Sequence, residues 1–277
     1  MRNSKEEFWI TDGGHIFVGS GYAENRRGVA ILVHKRWHKH IRKFQPISER
    51  IAALDVQRGS FKIRIVSAYF PHTGYNDTHI QPVYDTLTLL HNEANKAHMH
   101  FVLGSDCNAR VGPATDDDDH NTTGQYAMEN PNARGQWLKQ WAAMQRLTIT
   151  NTFFKKQEHK LATYTGPNKQ PRQIDYILAN RRFWKTVEDC ESTLAVDLGS
   201  DHKALRLRST ALRPPIINKR KRQKKTTTKT SHPKWPPADV SLYHQQLATQ
   251  LDDLHTTTQL ELKCEHIEEA IKTTLQQ

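Results

Sequence analysis

The sequence predicts a mixed α/β domain built from packed sheets, followed by a basic linker and a short helical appendage. Three observations carry this. Short runs of alternating or wholly apolar residues recur along the first 210 positions, separated by Gly, Pro and Asn. Two longer stretches in the same region have helical apolar spacing and sit between strand-like runs, a pattern of mixed sheets with crossover helices. Beyond that point the composition changes to Pro, Thr, Lys and Arg.

In order, residues 15–20 and Gly28–His34 read as strands. Ile51–Val56 and Phe61–Phe70 read as a hairpin turned at Arg58-Gly59-Ser60. In its second arm Phe61, Ile63, Ile65 and Ser67 alternate with Lys62, Arg64 and Val66, which predicts one wetter face. A helix is expected from an Asp77 cap, with Val83, Leu87, Leu90, Ala94 and Ala97 as its apolar stripe. It runs into a strand at 101–105. A second helix follows Asn130-Pro131-Asn132, with Trp137, Leu138, Trp141, Met144 and Leu147 facing the core. Strands are expected at 148–153, 174–179, about 190–196 and 203–208. The domain boundaries are then 1–210, a linker over 211–237 that cannot bury a core, and an amphipathic helical segment over 238–277.

The chain has 277 residues, is 36% hydrophobic and carries a formal charge of +11. No apolar run approaches the length of a membrane-spanning helix. Three widely separated cysteines, Cys107, Cys190 and Cys264, fit an intracellular protein with no disulfide frame or disulfide-linked partner. The charge is uneven. Residues 213–234 hold nine Lys or Arg and no acid, whereas residues 235–277 hold two bases and seven acids. Lys219, Arg220, Lys221, Arg222, Lys224 and Lys225 form the densest run, read as a nucleic-acid contact, a nuclear-import signal or a charged linker. Asp116–Asp119 reads as a solvated loop.

Chemistry-bearing residues gather at strand ends. Phe101-Val102-Leu103-Gly104-Ser105-Asp106-Cys107-Asn108 ends a strand with an Asp and an Asn on one side of the extended backbone. A carboxylate there orients a water or a metal, and an amide donates to a phosphate oxygen without adding charge. Gln173-Ile174-Asp175-Tyr176-Ile177-Leu178 places an acid at an apolar strand start. Burying an unpaired carboxylate is costly, so Asp175 calls for a partner such as histidine. Gly199-Ser200-Asp201-His202 supplies one before another strand.

The order Gly104-Ser105-Asp106-Cys107-Asn108-Ala109, Ile174-Asp175-Tyr176-Ile177-Leu178 and Ser200-Asp201-His202 resembles the endonuclease/exonuclease/phosphatase superfamily. Ser67-Ala68-Tyr69-Phe70-Pro71-His72 resembles that family's tyrosine-and-proline strand end. The wording of Arg27–Val33, Asn151-Thr152-Phe153-Phe154 and Thr163-Tyr164 is most similar to endonuclease domains of LINE-type (non-LTR) retrotransposons and to craniofacial development protein 2-like proteins. The resemblance covers about residues 8–208.

It implies a four-layer α/β/β/α sandwich, N-terminally truncated, and an Mg²⁺- or Mn²⁺-dependent endonuclease hydrolysing DNA phosphodiester bonds in the nucleus. By the same resemblance, Asp106 handles the attacking water, Asn108 donates to the phosphate and His202 stabilises the growing phosphoryl charge. Asp175 holds His202, Tyr69 lies near the phosphate and Asp201 supports the metal. Three departures stand out. Ser105 separates Gly104 from Asp106, which suggests a bulge. His72 stands where relatives place Asn. The front strands and their metal-binding Glu have no counterpart, with Glu6 and Glu7 the nearby acids. The last departure implies impaired catalysis. The alternatives are a non-cleaving nucleic-acid-binding remnant and a phosphomonoesterase. In relatives the helical segment at the C-terminal end leads towards a reverse transcriptase.

Overall fold

A computed structural model describes residues 5–22, 25–72, 74–195 and 199–213. Both the basic run 219–225 and the 238–277 segment lie outside the described residues.

The centre is a six-stranded sheet in the order β4-β5-β6-β7-β11-β8. Its strands are β4 (Ile41–Ser48), β5 (Ile51–Arg58), β6 (Phe61–Tyr69), β7 (His100–Asp106), β8 (Leu147–Ile149) and β11 (Asp175–Asn180). β6 and β7 pair in parallel; the other neighbours are antiparallel. Parallel neighbours need a crossover, and helix α1 (Gln81–Lys96) supplies it. Helices α1 and α2 (Ala133–Met144) bury Leu87, Leu90, Leu138 and Trp141 against Val66, Phe101, Leu103, Tyr176 and Leu178.

The opposite face meets a second layer of strands. β1 (Lys5–Ile10), β2 (Ile16–Tyr22) and β3 (Asn25–Val33) form one antiparallel sheet, and β12 (Val187–Thr193) with β13 (Ala204–Ser209) forms another. Ile16, Val18 and Val33 of the first, and Val187 and Leu207 of the second, join Leu54, Val56, Ile63 and Phe183 in a shared core. Phe183 comes from the short helix α4 (Arg181–Trp184). The short helix α3 (Glu158–Leu161) packs on β12. Helices, two strand layers and a further helix give the α/β/β/α sandwich that the resemblance implies. The small hairpin of β9 (Tyr164–Thr165) and β10 (Pro171–Arg172) completes the set.

Several local expectations need correction. Asp77 opens a 3-10 turn, and α1 starts at Gln81 with Pro82 in its first turn and no side-chain cap. Met144 is 73% exposed, because α2 ends there and Leu147 belongs to β8. The strand expected over 148–153 stops at Ile149. Thr150 and Thr152 turn their hydroxyls onto the carbonyls of Ile177 and Ile149, at 2.8 and 2.7 Å, and a 3-10 turn results.

The face of β6 that carries Arg64 is not wet. Arg64 is 5% exposed and meets Asp55 with two nitrogens at 2.7 and 2.8 Å and Glu93 at 2.8 Å. Ser105 makes no bulge either. β7 keeps unbroken register with β6 and β11, and the Ser105 hydroxyl lies 3.0 Å from Cys107 Sγ on the buried side. The acidic loop is not simply solvated. Asp118 pairs with buried Lys139 at 2.8 Å, and Asp119 accepts from Asn121 and Thr122.

Candidate active site

The register of three central strands brings the strand-end residues together. Tyr69 lies opposite Asp106 across the parallel β6–β7 pair, and Asp175 lies opposite Asp106 across the antiparallel β7–β11 pair. Past these residues the sheet hydrogen bonds continue irregularly. The Phe70 amide donates to the Asp106 carbonyl, and the Cys107 amide to the Ile174 carbonyl, each at 2.9 Å. The chain then turns through Asn108, whose φ of +48° is a left-handed conformation that Asn tolerates.

This turn aims the polar groups. The Asn108 amide donates to Asp106 Oδ1 at 2.9 Å, and its side chain donates to the Phe70 carbonyl at 2.9 Å and to Asp106 Oδ2 at 3.4 Å. His202 Nδ1 sits 3.0 and 3.2 Å from the two Asp175 oxygens. This is the pairing that a carboxylate in an apolar strand start requires. The partner segment is held by the hairpin: Thr165 donates to the Asp201 carbonyl at 2.9 Å, and the Tyr164 ring lies 4.9 Å from the imidazole.

The electrostatics are those of two carboxylates sharing a partly dry corner. Burial, and then the neighbouring Asp175 charge, push the Asp106 carboxyl up to about 6. The hydrogen bond to Asp175 raises the His202 imidazole above its ordinary value, against the opposing effect of burial.

One atom each from Asp106, Asp175 and His202 lies within 4.8 Å of the others. Among the described residues this cluster contains no glutamate. The two carboxylates offer the hard oxygen donors that Mg²⁺ or Mn²⁺ prefers, whereas the imidazole nitrogen nearest them is already engaged by Asp175. The cluster opens into a cleft of about 380 Å³ lined by Tyr69, His72, Asp106, Asn108, Asp201 and His202, with Arg110, Asn132, Tyr164 and Arg172 around them. Asp201 thus faces the cleft but stands outside the three-residue cluster. His72 accepts the Gly74 amide on Nδ1 at 3.1 Å, which places its remaining ring nitrogen elsewhere.

Sequence reading missed several residues of this corner. The Arg50 guanidinium lies 5.2 Å from the Tyr69 ring centre and 5.7 Å from that of Tyr75, and it donates to the Tyr69 carbonyl at 3.4 Å. Asn151 spans Asp175 and Ile177 of β11, donating to one carbonyl at 3.2 Å and accepting from the other's amide at 3.4 Å. Arg50 alone in a strand flank gives no signal by itself, and Asn151, though part of the Asn151-Thr152-Phe153-Phe154 wording, had no role assigned to it.

Comparison with known proteins follows the same direction. No family model matches the chain. Over 196 residues, 70% of the chain, it is 29% identical to craniofacial development protein 2 of Bos taurus, and equally so to that of Tragulus javanicus. It spans about a third of these relatives, 32% and 33% of their lengths. Among solved structures it is similar to AP endonuclease LMAP from Leishmania major, with TM-score 0.52, 15% identity, and 72% and 71% of the two chains covered. The endonuclease domain of TRAS1, a telomere-specific non-LTR retrotransposon, is similar with TM-score 0.49 and 14% identity over 76% of this chain and 81% of that one. By its likeness to the AP endonuclease, the chain has the fold of the endonuclease/exonuclease/phosphatase superfamily.

Proposed function

We propose that this chain is a metal-dependent phosphodiesterase module of retroelement type that acts on DNA, with weakened metal binding. The observation that carries the reading is the convergence of Asp106, Asp175 and His202 within 4.8 Å, beside a cleft that Asp106 and His202 line together with Tyr69 and Asn108.

Asp106 and Asp175 would hold the cation. When bound, an Mg²⁺ ion polarises a phosphoryl oxygen and steadies the departing one. The protein's own groups supply the rest. Asp106, facing the cleft beside Asn108, is placed to orient an attacking water. Asn108 presents an amide beside that carboxylate, and exchanging its long 3.4 Å bond to Asp106 for a phosphate oxygen would orient the phosphate without adding charge. His202, made more basic by Asp175, donates to phosphoryl oxygens as negative charge grows on them. Tyr69, braced by Arg50, borders the place where the phosphate sits. Arg110 and Arg172 on the cleft rim are suited to flanking phosphates. Weakness at the metal follows from the donor set. Both oxygens of Asp106 accept from Asn108, and those of Asp175 face His202, so each carboxylate is shared before a cation arrives.

The basic run 219–225 would add affinity for DNA and an address to the nucleus. The 211–237 segment would act as its tether.

The test is nicking of supercoiled plasmid by purified protein in Mg²⁺, in Mn²⁺ and in EDTA. Slow nicking that needs the cation and is lost in His202→Ala supports the proposal. DNA binding with no nicking in either cation would replace it with a non-cleaving binder. Release of phosphate from a small monoester without plasmid nicking would replace it with a phosphomonoesterase.

A further inference from the structure

We infer that Thr163 is a positioning residue that sets the Asp175–His202 pair, acting through hydrogen bonds to the chain segments that carry both residues. Thr163 is 0% exposed and lies at a crossing of three chain segments. Its hydroxyl oxygen accepts the amides of Ile174 and Asp175, each at 3.1 Å. Its own amide donates to the Arg172 carbonyl at 2.8 Å, and its carbonyl accepts the Lys203 amide at 2.7 Å.

The chain leaves β10 at Arg172 and enters β11 at Asp175, so Gln173 and Ile174 form a bend with no regular ladder to hold them. At that bend two consecutive half-buried amides need an acceptor, and a hydroxyl with two lone pairs can serve both. The main chain of the same residue fixes the segment that carries His202. Asp175 is therefore located by the Thr163 side chain and His202 by the Thr163 backbone, and their 3.0 Å contact is measured between two groups tied to one residue. Asn151 fixes the other side of Asp175 through its carbonyl but makes no bond to its amide. Valine has nearly the shape of threonine without the hydroxyl. It would leave both half-buried amides without their acceptor, and the bend would move to reach water. Serine keeps the acceptor.

The consequence for rate rests on the hydrolytic reading; the consequence for geometry does not. The experiment therefore reads both, on the full chain. The first measurement is the low-field proton resonance of the His202 Nδ1–H bonded to Asp175, in wild type, Thr163→Val, Thr163→Ser and Thr150→Val. Thr150 is equally buried and bonds the Ile177 carbonyl at 2.8 Å, so its valine variant controls for a lost core hydroxyl on the same strand. The resonance is expected to persist in wild type, Thr163→Ser and Thr150→Val and to vanish in Thr163→Val. Nicking kcat should fall about 10- to 100-fold in Thr163→Val with little change in KM, and recover in Thr163→Ser. A resonance retained in Thr163→Val would overturn the inference whatever the rates. A wild type that shows the resonance but no nicking would sink the hydrolytic reading and leave the inference standing. Should Thr163→Val not fold, hydrogen exchange at the wild-type amides of Ile174 and Asp175 decides. Slow exchange supports the double acceptor, and exchange at the rate of an open amide refutes it.

Discussion

Replacing Gly135 by alanine sets two effects of opposite sign against each other. Gly135 lies in the first turn of α2, where Asn132 caps the helix by accepting the Gly135 amide at 2.8 Å and also accepts the Arg110 amide at 3.1 Å. Judged by helix propensity alone, alanine should stabilise by about 1 kcal/mol. The structure predicts the reverse. A methyl group at Gly135 would stand 1.6 Å from the Arg110 carbonyl oxygen and 2.4 Å from its carbon. Both are main-chain atoms with no rotamer to escape into, so the helix start and the 108–111 segment must part by more than 1 Å. Overpacking costs about 1–3 kcal/mol, and a backbone collision belongs at the upper end. The net expectation is a loss of about 2 kcal/mol, or a melting temperature lower by about 4–8 °C for a domain of this size. Because Asn108 is two residues from Arg110, nicking should fall by roughly 100-fold, the cost of an error of about 1 Å in a reacting group. Thermal unfolding followed by circular dichroism checks the first figure. A Gly135→Ala protein as stable as wild type, or more so, would refute the close approach of α2 to this turn.

Further outcomes follow from the charged groups. Asp106 has its carboxyl raised from 3.8 to about 6, so its contribution to stability is fully present below about 3.8 and is lost as pH rises through 6. Asp106→Asn should therefore stabilise the metal-free protein by about 1–3 kcal/mol at pH 8 and by nothing near pH 3.5, in urea titrations at the two pH values. Glu191 behaves oppositely. Lys156 first, with Arg206 and Lys160, holds it near 2 instead of 4.5, so its stabilisation is present above 4.5 and lost as pH falls through about 2. Glu191→Gln should cost about 1.5–3 kcal/mol at pH 7, and its deficit relative to wild type should shrink on acidification below pH 4.5.

How far this was legible in the sequence depends on whether a residue's partners are near it in the chain. Asp106 and Asn108 stand two apart at the end of an apolar run, and strand alternation put them on one side; in the structure the strand ends at Asp106, and the left-handed turn at Asn108 brings the two together. Asp175 was legible by its cost, since an acid at an apolar strand start demands a partner, and His202 is that partner in the structure. The strands of the central sheet were visible where apolar residues alternate, as in β6 and β7. β4 was not, because its eight residues include Pro46 and three basic or amide side chains and show no clean period. Arg64 misled for a related reason. Its partners Asp55 and Glu93 are 9 and 29 residues away, and only the fold shows that a charged side chain on that face is buried and paired. Thr163 left no trace as a functional residue. Its hydroxyl serves amides 11 and 12 positions away, and threonine beside a turn has many ordinary uses.

The direct opposition of Asp175 and Asp106 across β7 and β11 bears on how this corner can change over time. In a strand, neighbouring side chains point to opposite faces, so sliding β11 by one residue would exchange Asp175 for Tyr176 or Ile174 at the cluster. No intermediate arrangement exists in which the carboxylate is half withdrawn. Substitutions can tune this corner by degrees, but a one-residue insertion or deletion between Gln173 and Tyr176 acts as an on–off change. The same step would turn Tyr176, fully buried and donating its hydroxyl to the Gln173 carbonyl at 2.7 Å, out of the core beneath α2. Loss of the site by length change therefore carries loss of the fold with it. Lineages that lose the chemistry and keep the protein are expected to do so by point substitution, leaving strand lengths intact.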